Sequence, residues 1–332
     1  MRNYKYLLSL TTGIIVITGN MLGNWWVAGN IIFSLGILAV LEKFVSQNHD
    51  NSYSESEIFP DAILFAHVLL QMLCLSSLFY SVSQNGLSFS QIIVAAISTG
   101  INSGSSAIVI AHELIHRNIK WFQWAGKFLL FTAGNVYFYV DHLRVHHKWV
   151  GTAKDPATSI YGENLYRFFM RTTVGQFKSA LNSDANRLRK INAAPYGLRN
   201  YVTASILLLV LFMSLLAYFL GASVLVAFML QAILANFLLE YTNYIEHYGL
   251  TRNENERVTE HHSWQSDKVI SRYFLIDLSR HADHHYYASK PYHILKSYDK
   301  APVLPGGYVE MIYYALIPPL WFKTMHPLLR KQ

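Results

Sequence analysis

The segment Asp141-His142-Leu143-Arg144-Val145-His146-His147 places three imidazoles within six residues, and imidazole nitrogens are strong ligands for transition-metal ions. On a regular helix His142 and His146 share a face, while His147 is turned away from His146 by about 100°. Such a segment can serve two metal ions at once. Rings of the same type stand at three other places: His112 and His116, spaced i, i+4; His247; and His281, His284 and His285. His146-His147 and His284-His285 are adjacent pairs, the arrangement that divides ligands between two ions. All-nitrogen ligation suits iron, zinc or copper, so the donors leave the metal open. Carboxylates at Glu113, Asp141, Glu246 and Asp283 sit beside the rings, placed to accept the outward N–H of a ligand and fix its tautomer. His262, followed by Ser263-Trp264, is expected either behind the ligand rings, supporting them, or at the rim of the site. The His112-Glu-Leu-Ile-His116 spacing also fits a zinc-hydrolase pair with Glu113 as base, but seven further clustered histidines are superfluous for one tetrahedral zinc.

The composition says what carries these rings. Of 332 residues, 52% are hydrophobic and 14% charged, whereas a soluble domain carries about 25% charged residues. Lipid is the better solvent for such a chain, and several apolar runs reach the roughly 20 residues needed to cross a bilayer. The expected fold is an all-α polytopic membrane bundle of about six helices, at 6–23, 25–41, 62–83, 88–110, 202–220 and 224–244. The first run reads as a retained helix rather than a cleaved signal, because no small-residue cleavage pattern follows it. A histidine-rich cytoplasmic cap is expected at 141–200 and 251–332. The lone Cys74 excludes internal disulfides and thiolate metal sites. The net charge of +7 needs no nucleic-acid partner, since Lys and Arg in a membrane protein report topology.

The connections 23–24, 84–87 and 221–223 carry no charged residue, and all 27 Lys and Arg fall in the other connections and the ends. The positive-inside rule then puts both ends and every long loop in the cytoplasm, at an inner membrane. The nearly apolar segment 121–140 has histidine clusters on both sides, and rings that share a metal must meet. That segment therefore returns to the side it left, as a re-entrant or interfacial helix broken near Gly134-Asn135. Residues 163–190 carry an interrupted apolar stripe among basic residues, fitting either a helix on the membrane surface or a solvated helix packed over the site. The run 311–321 is too short to span. His67, in the third span, is expected to be a hydrogen-bonded core residue.

His112-Glu-Leu-Ile-His116-Arg117, Asp141-His142-Leu-Arg-Val-His146-His147, Asn243-Tyr-Ile-Glu-His247-Tyr-Gly-Leu250 and Leu278-Ser-Arg-His281-Ala-Asp-His284-His285 resemble the four histidine motifs of the integral-membrane alkane 1-monooxygenases. The likeness extends to Asp155-Pro-Ala-Thr158, His262-Ser-Trp264 and Ala301-Pro-Val-Leu-Pro-Gly-Gly-Tyr308, so it covers most of the chain after about residue 105. The resemblance implies a non-haem diiron enzyme that inserts one atom of O2 into a terminal methyl group of an apolar substrate drawn from the bilayer. All nine matching histidines carry over as iron ligands. It also implies electrons from rubredoxin and a rubredoxin reductase; with no Cys-x-x-Cys, the chain carries no rubredoxin of its own. Two departures, Asp141 for the usual Glu and Val145 for the usual Gly, leave the ligands intact and bear on substrate. Fatty-acid desaturases share the three-cluster plan, and xylene-type hydroxylases that attack aryl methyl groups are relatives. A metal transporter is a further alternative, one that requires polar groups through the depth of the spans.

Overall fold

Six helices are long and apolar enough to cross a membrane: α1 (Asn3–Leu22), α2 (Asn24–Phe44), α3 (Ile58–Gln84), α4 (Phe89–His116), α8 (Tyr201–Leu220) and α9 (Ala222–His247). They belong to a computed structural model that describes residues 2–52 and 58–330; residues 331–332 of the expected cap fall outside it. Between α4 and α8 lie α5 (Lys120–Thr132), α6 (138–149) and α7 (Leu165–Arg189). The polar region beyond α9 holds the short α10 (Val269–Phe274), α11 (His281–Tyr286), α12 (Tyr308–Ala315) and α13 (Pro318–Leu329). Among the described residues the only β pairing is two isolated bridges, so the fold is all-helical.

The tightest helix pair is α4 against α9. Gly100 and Gly104, one turn apart on α4, let the backbones approach, as small residues do where lipid supplies no hydrophobic drive between helices. A methyl group added at Gly104 would stand 2.9 Å from Leu238 Cβ and 3.2 Å from Ala235 Cα. One added at Gly100 would stand 2.8 Å from the Gln231 carbonyl oxygen.

After His116 the chain doubles back as α5, with Gly126 against Ala111 and Ile115 of α4. It breaks at Gly134, whose φ of +69° suits a residue without Cβ, and returns through α6. The segment thus returns to the side it left, as the histidines on both of its sides require. Backbone that leaves the helix inside such an apolar bundle needs partners from the protein. They come from α9: Gln231 Nε2 donates to the Thr132 carbonyl at 3.0 Å and Asn236 Nδ2 to the Ala133 carbonyl at 2.9 Å. Asn135 Oδ1 accepts from the Phe138 N–H at 3.2 Å and so starts α6.

α7 starts on the Asn164 side chain, which accepts from the Arg167 N–H. It buries Leu165, Phe168, Ala180 and Leu188 and packs on α6 and α9. Tyr166, Met170 and Val174 on its other side are exposed. The 311–321 run becomes the paired α12 and α13 rather than a span. His67 is a core residue, held between Ser9 Oγ at 2.7 Å and Ser106 Oγ at 2.8 Å.

Candidate metal centre

Each histidine reaches the centre for a local reason. His112 and His116 project from one face of the last turns of α4, and His247 ends α9. Within α6 the turn His142–His146 is a π-turn rather than an α-turn. The wider i→i+5 repeat brings His142 and His147 onto one side and turns His146 to the other. That corrects the expectation that His142 and His146 share a face, which holds only for regular α-geometry. In α11 the regular repeat holds, so His281 and His285 point together and His284 apart.

The nine rings form two neighbouring groups. His112, His116, His142, His147 and His284 make one; His146, His247, His281 and His285 make the other. In each group one nitrogen per ring lies within 4.8 Å of all the others. In the larger group the Nε2 atoms nearly touch: His112 to His284 at 2.8 Å, His142 to His147 at 2.9 Å, His116 to His142 at 3.0 Å, and His147 to His284 at 3.2 Å. The groups meet where His147 and His285 have ring centroids 4.7 Å apart.

A metal ion fits this arrangement. Metal–nitrogen bonds of about 2.1 Å set neighbouring donors roughly 3 Å apart on a coordination sphere, which is the spacing found. The rings are buried or nearly so, and burial, with neighbouring rings adding to it, pushes His142, His147, His281, His284 and His285 well below the usual imidazole range. They are therefore neutral, each with a lone pair to give. His247 Nε2 is buried without a hydrogen-bond partner. Such an orphaned acceptor is costly unless a cation takes it.

The groups behind the ligands differ from the expected set. Asp155 Oδ2 sits 2.9 Å from His146 Nδ1 and also accepts from Thr158 Oγ1 at 2.7 Å. The buried Asp155 carboxyl stays below its ordinary range because the contact with His146 outweighs desolvation. The His262 backbone carbonyl, rather than its ring, lies 3.3 Å from His247 Nδ1. Glu246 Oε2 is 3.0 Å from His281 Nε2, on the inward nitrogen rather than the outward one, and Oε1 accepts from Tyr308 OH at 2.8 Å. Among the described residues, Glu113, Asp141 and Asp283 accept from no histidine. Glu113 is drawn to Arg117 Nε at 2.8 Å, and Asp141 takes the hydroxyl of Ser179. Asp283 takes Lys290, the Lys296 N–H at 2.6 Å and Tyr298 OH at 2.9 Å. Adjacency in sequence misled here because neighbours along a helix point to different sides of it.

A cavity of about 130 Å³ opens beside the rings. Its walls are the apolar Leu35 and Leu38 of α2, Ile101 and Ile108 of α4, and Leu238 and Leu239 of α9; His112, His142, His281 and Glu246 close one end.

The fatty acid desaturase family model matches residues 88–315. Alkane 1-monooxygenase 2 of Alcanivorax borkumensis is 33% identical over 92% of this chain and 83% of its own length. Alkane 1-monooxygenase 2 of Pseudomonas aeruginosa is 33% identical over 99% of this chain and 93% of its own. This chain belongs to the alkane 1-monooxygenase family. The alkane 1-monooxygenases lie within the broader desaturase family, and as a member this chain is an oxidoreductase of the monooxygenase class. The xylene/toluene monooxygenase hydroxylase component of Pseudomonas putida is a more distant relative, 27% identical over 96% of this chain and 86% of its own length.

Two functional features were missed from sequence. Asp155 was visible within the Asp155-Pro-Ala-Thr158 motif but stands eight residues beyond the nearest ligand, His147. The Gly100-x-x-x-Gly104 spacing that seats α9 was visible too.

Proposed function

We propose that the chain hydroxylates the terminal methyl group of n-alkanes to give 1-alkanols, with its nine histidines holding two iron ions and with electrons delivered by rubredoxin. The observation that carries this reading is the apolar cavity ending on histidines of both groups. A methyl C–H bond offers no acidic proton and no polarity to a base or nucleophile, so an oxidising metal pair beside an apolar pocket matches the chemical need. Two bound irons would supply reductive activation of O2, one atom going to the substrate carbon and the other leaving as water.

The chain's own residues do the rest. The leucines and isoleucines of α2, α4 and α9 take an extended alkyl chain out of the bilayer and exclude water. With its methyl end against His112, His142 and His281, the rest of the chain extends between the spans. Tyr308 fixes the Glu246 carboxylate at that end, where it can hold a proton beside the second histidine group. Asp155 and the His262 carbonyl hold His146 and His247 in one tautomer. The distribution of basic residues supports a cytoplasmic position for the site and both ends, where a positive face suits an acidic electron carrier.

The test is gas chromatography of products from cells that express the chain with a rubredoxin and its reductase. The cells are fed medium and long n-alkanes, p-xylene and a fatty acid. 1-Alkanols are expected. Formation of 4-methylbenzyl alcohol alone would move the substrate to aryl methyl groups, and an unsaturated acid alone would move the reaction to desaturation.

A further inference from the structure

Apart from the histidine groups, none of which lines it, α5 and α8 leave an open trough of about 430 Å³. It runs along α8 from Tyr201 to Leu215, a length of about 21 Å at 1.5 Å per residue. Its polarity is graded. At the Tyr201 end stand Lys127 and Ser205; at the other end the walls are Phe131, Phe212 and Leu215. Leu208, Leu211 and Leu215 are about half exposed, because little of the bundle covers α8.

Lys127 is half-buried, with its ammonium 4.0 Å from the Tyr139 ring centroid, 4.9 Å from that of Trp124 and 5.4 Å from that of Tyr201. The faces of these rings hold the charge in place, and among the described residues its three N–H groups find no hydrogen-bond acceptor. Among the described residues no carboxylate lies within ion-pair distance of it. Asp184, which accepts the Tyr201 N–H at 2.8 Å, is already shared by Arg144 at 2.7 Å and Arg187 at 2.6 Å. The rim is therefore net positive, at the end of the trough where the fifth span begins.

We infer that this trough is a binding site for an anionic phospholipid, with the phosphate against Lys127 and one acyl chain lying along α8 towards Leu215. An ammonium held among aromatic rings at the edge of the bilayer gains an acceptor from the phosphate, and the apolar walls gain an acyl chain of matching direction. Annular lipid without headgroup preference would satisfy the walls but not Lys127. The occupied trough braces α5 against α8 and so supports the excursion whose return limb carries His142, His146 and His147.

The test uses the full chain in lipid nanodiscs of phosphatidylcholine containing a titrated fraction of acyl-brominated phosphatidylglycerol or acyl-brominated phosphatidylcholine. The emission of Trp124 is read as the difference between the chain and its Trp124→Phe variant. Half-quenching is expected at about a fivefold lower fraction of the anionic lipid, the worth of one lysine near a charged headgroup. Lys127→Met, and independently Ser205→Glu, should abolish that preference. Equal quenching by the two lipids, or a preference unchanged in either variant, would overturn the inference.

Discussion

Asp155 is placed to set the affinity of the proposed metal centre without touching the metal itself. Its carboxylate takes the outward N–H of His146, which leaves Nε2 as the donor facing His285 at 3.2 Å. Asp155→Asn can present its NH2 group to the same nitrogen and so favour the wrong tautomer. Iron affinity is expected to fall about 10–100-fold, measured by metal titration, with helical circular dichroism unchanged. His284→Ala removes a ring that lies within 3.2 Å of both His112 and His147. It should abolish product formation while membrane insertion persists, assayed by fractionation and chromatography; full activity with normal iron would remove His284 from the ligand set. The positions of all nine histidines could be read in the sequence, because their types and clustering are the signal. The pairing within 142–147 could not, since the wider turn is a hydrogen-bond offset that residue type does not announce. The partners of Glu113 and Asp283 were hidden for a related reason: Arg117 and Lys290 compete for those carboxylates, and charge pairs with charge more strongly than with a neutral ring.

At the scale of elements, the centre depends on how closely α4 and α9 approach, because His112, His116 and His247 ride on their ends. Gly104→Val would drive a side chain into Leu238 and Ala235. Overpacking of this kind costs about 1–3 kcal/mol. A lower thermal midpoint in detergent, together with reduced iron content, is the expected outcome; unchanged values would show that the helices yield without disturbing the site. The six apolar helices were legible from hydropathy alone. So was the return of α5 and α6, because rings on both of its sides had to meet. The amides of Gln231 and Asn236 that make the return tolerable were not legible, since they lie about a hundred residues further along the chain.

At the scale of the molecule, the polar region after α9 is tied to the first span through Asp277. Its carboxylate accepts from Arg272 Nε at 2.6 Å, from Lys5 Nζ at 3.1 Å and from Tyr6 OH at 2.5 Å. Burial alone would raise the Asp277 pKa, but the hydrogen bonds and charges of Arg272 and Lys5 outweigh it and hold the group below its ordinary value. A carboxylate lowered on folding stabilises the fold above the unfolded value, near pH 4, and that stability is lost as the pH falls through the folded value. Thermal midpoints should therefore drop below about pH 4. Asp277→Asn should lower stability at neutral pH by about 3–5 kcal/mol and flatten that acid limb; an unchanged limb would assign it to other carboxylates.

The most direct test of the dinuclear centre is the iron-to-protein ratio of the chain purified anaerobically in a bilayer mimic. Two irons per chain are expected, falling to about one in His285→Ala, whose ring belongs to the four-histidine group alone. One iron or none in the unaltered chain, or zinc in place of iron, would contradict the assignment of both histidine groups to an oxidising metal pair.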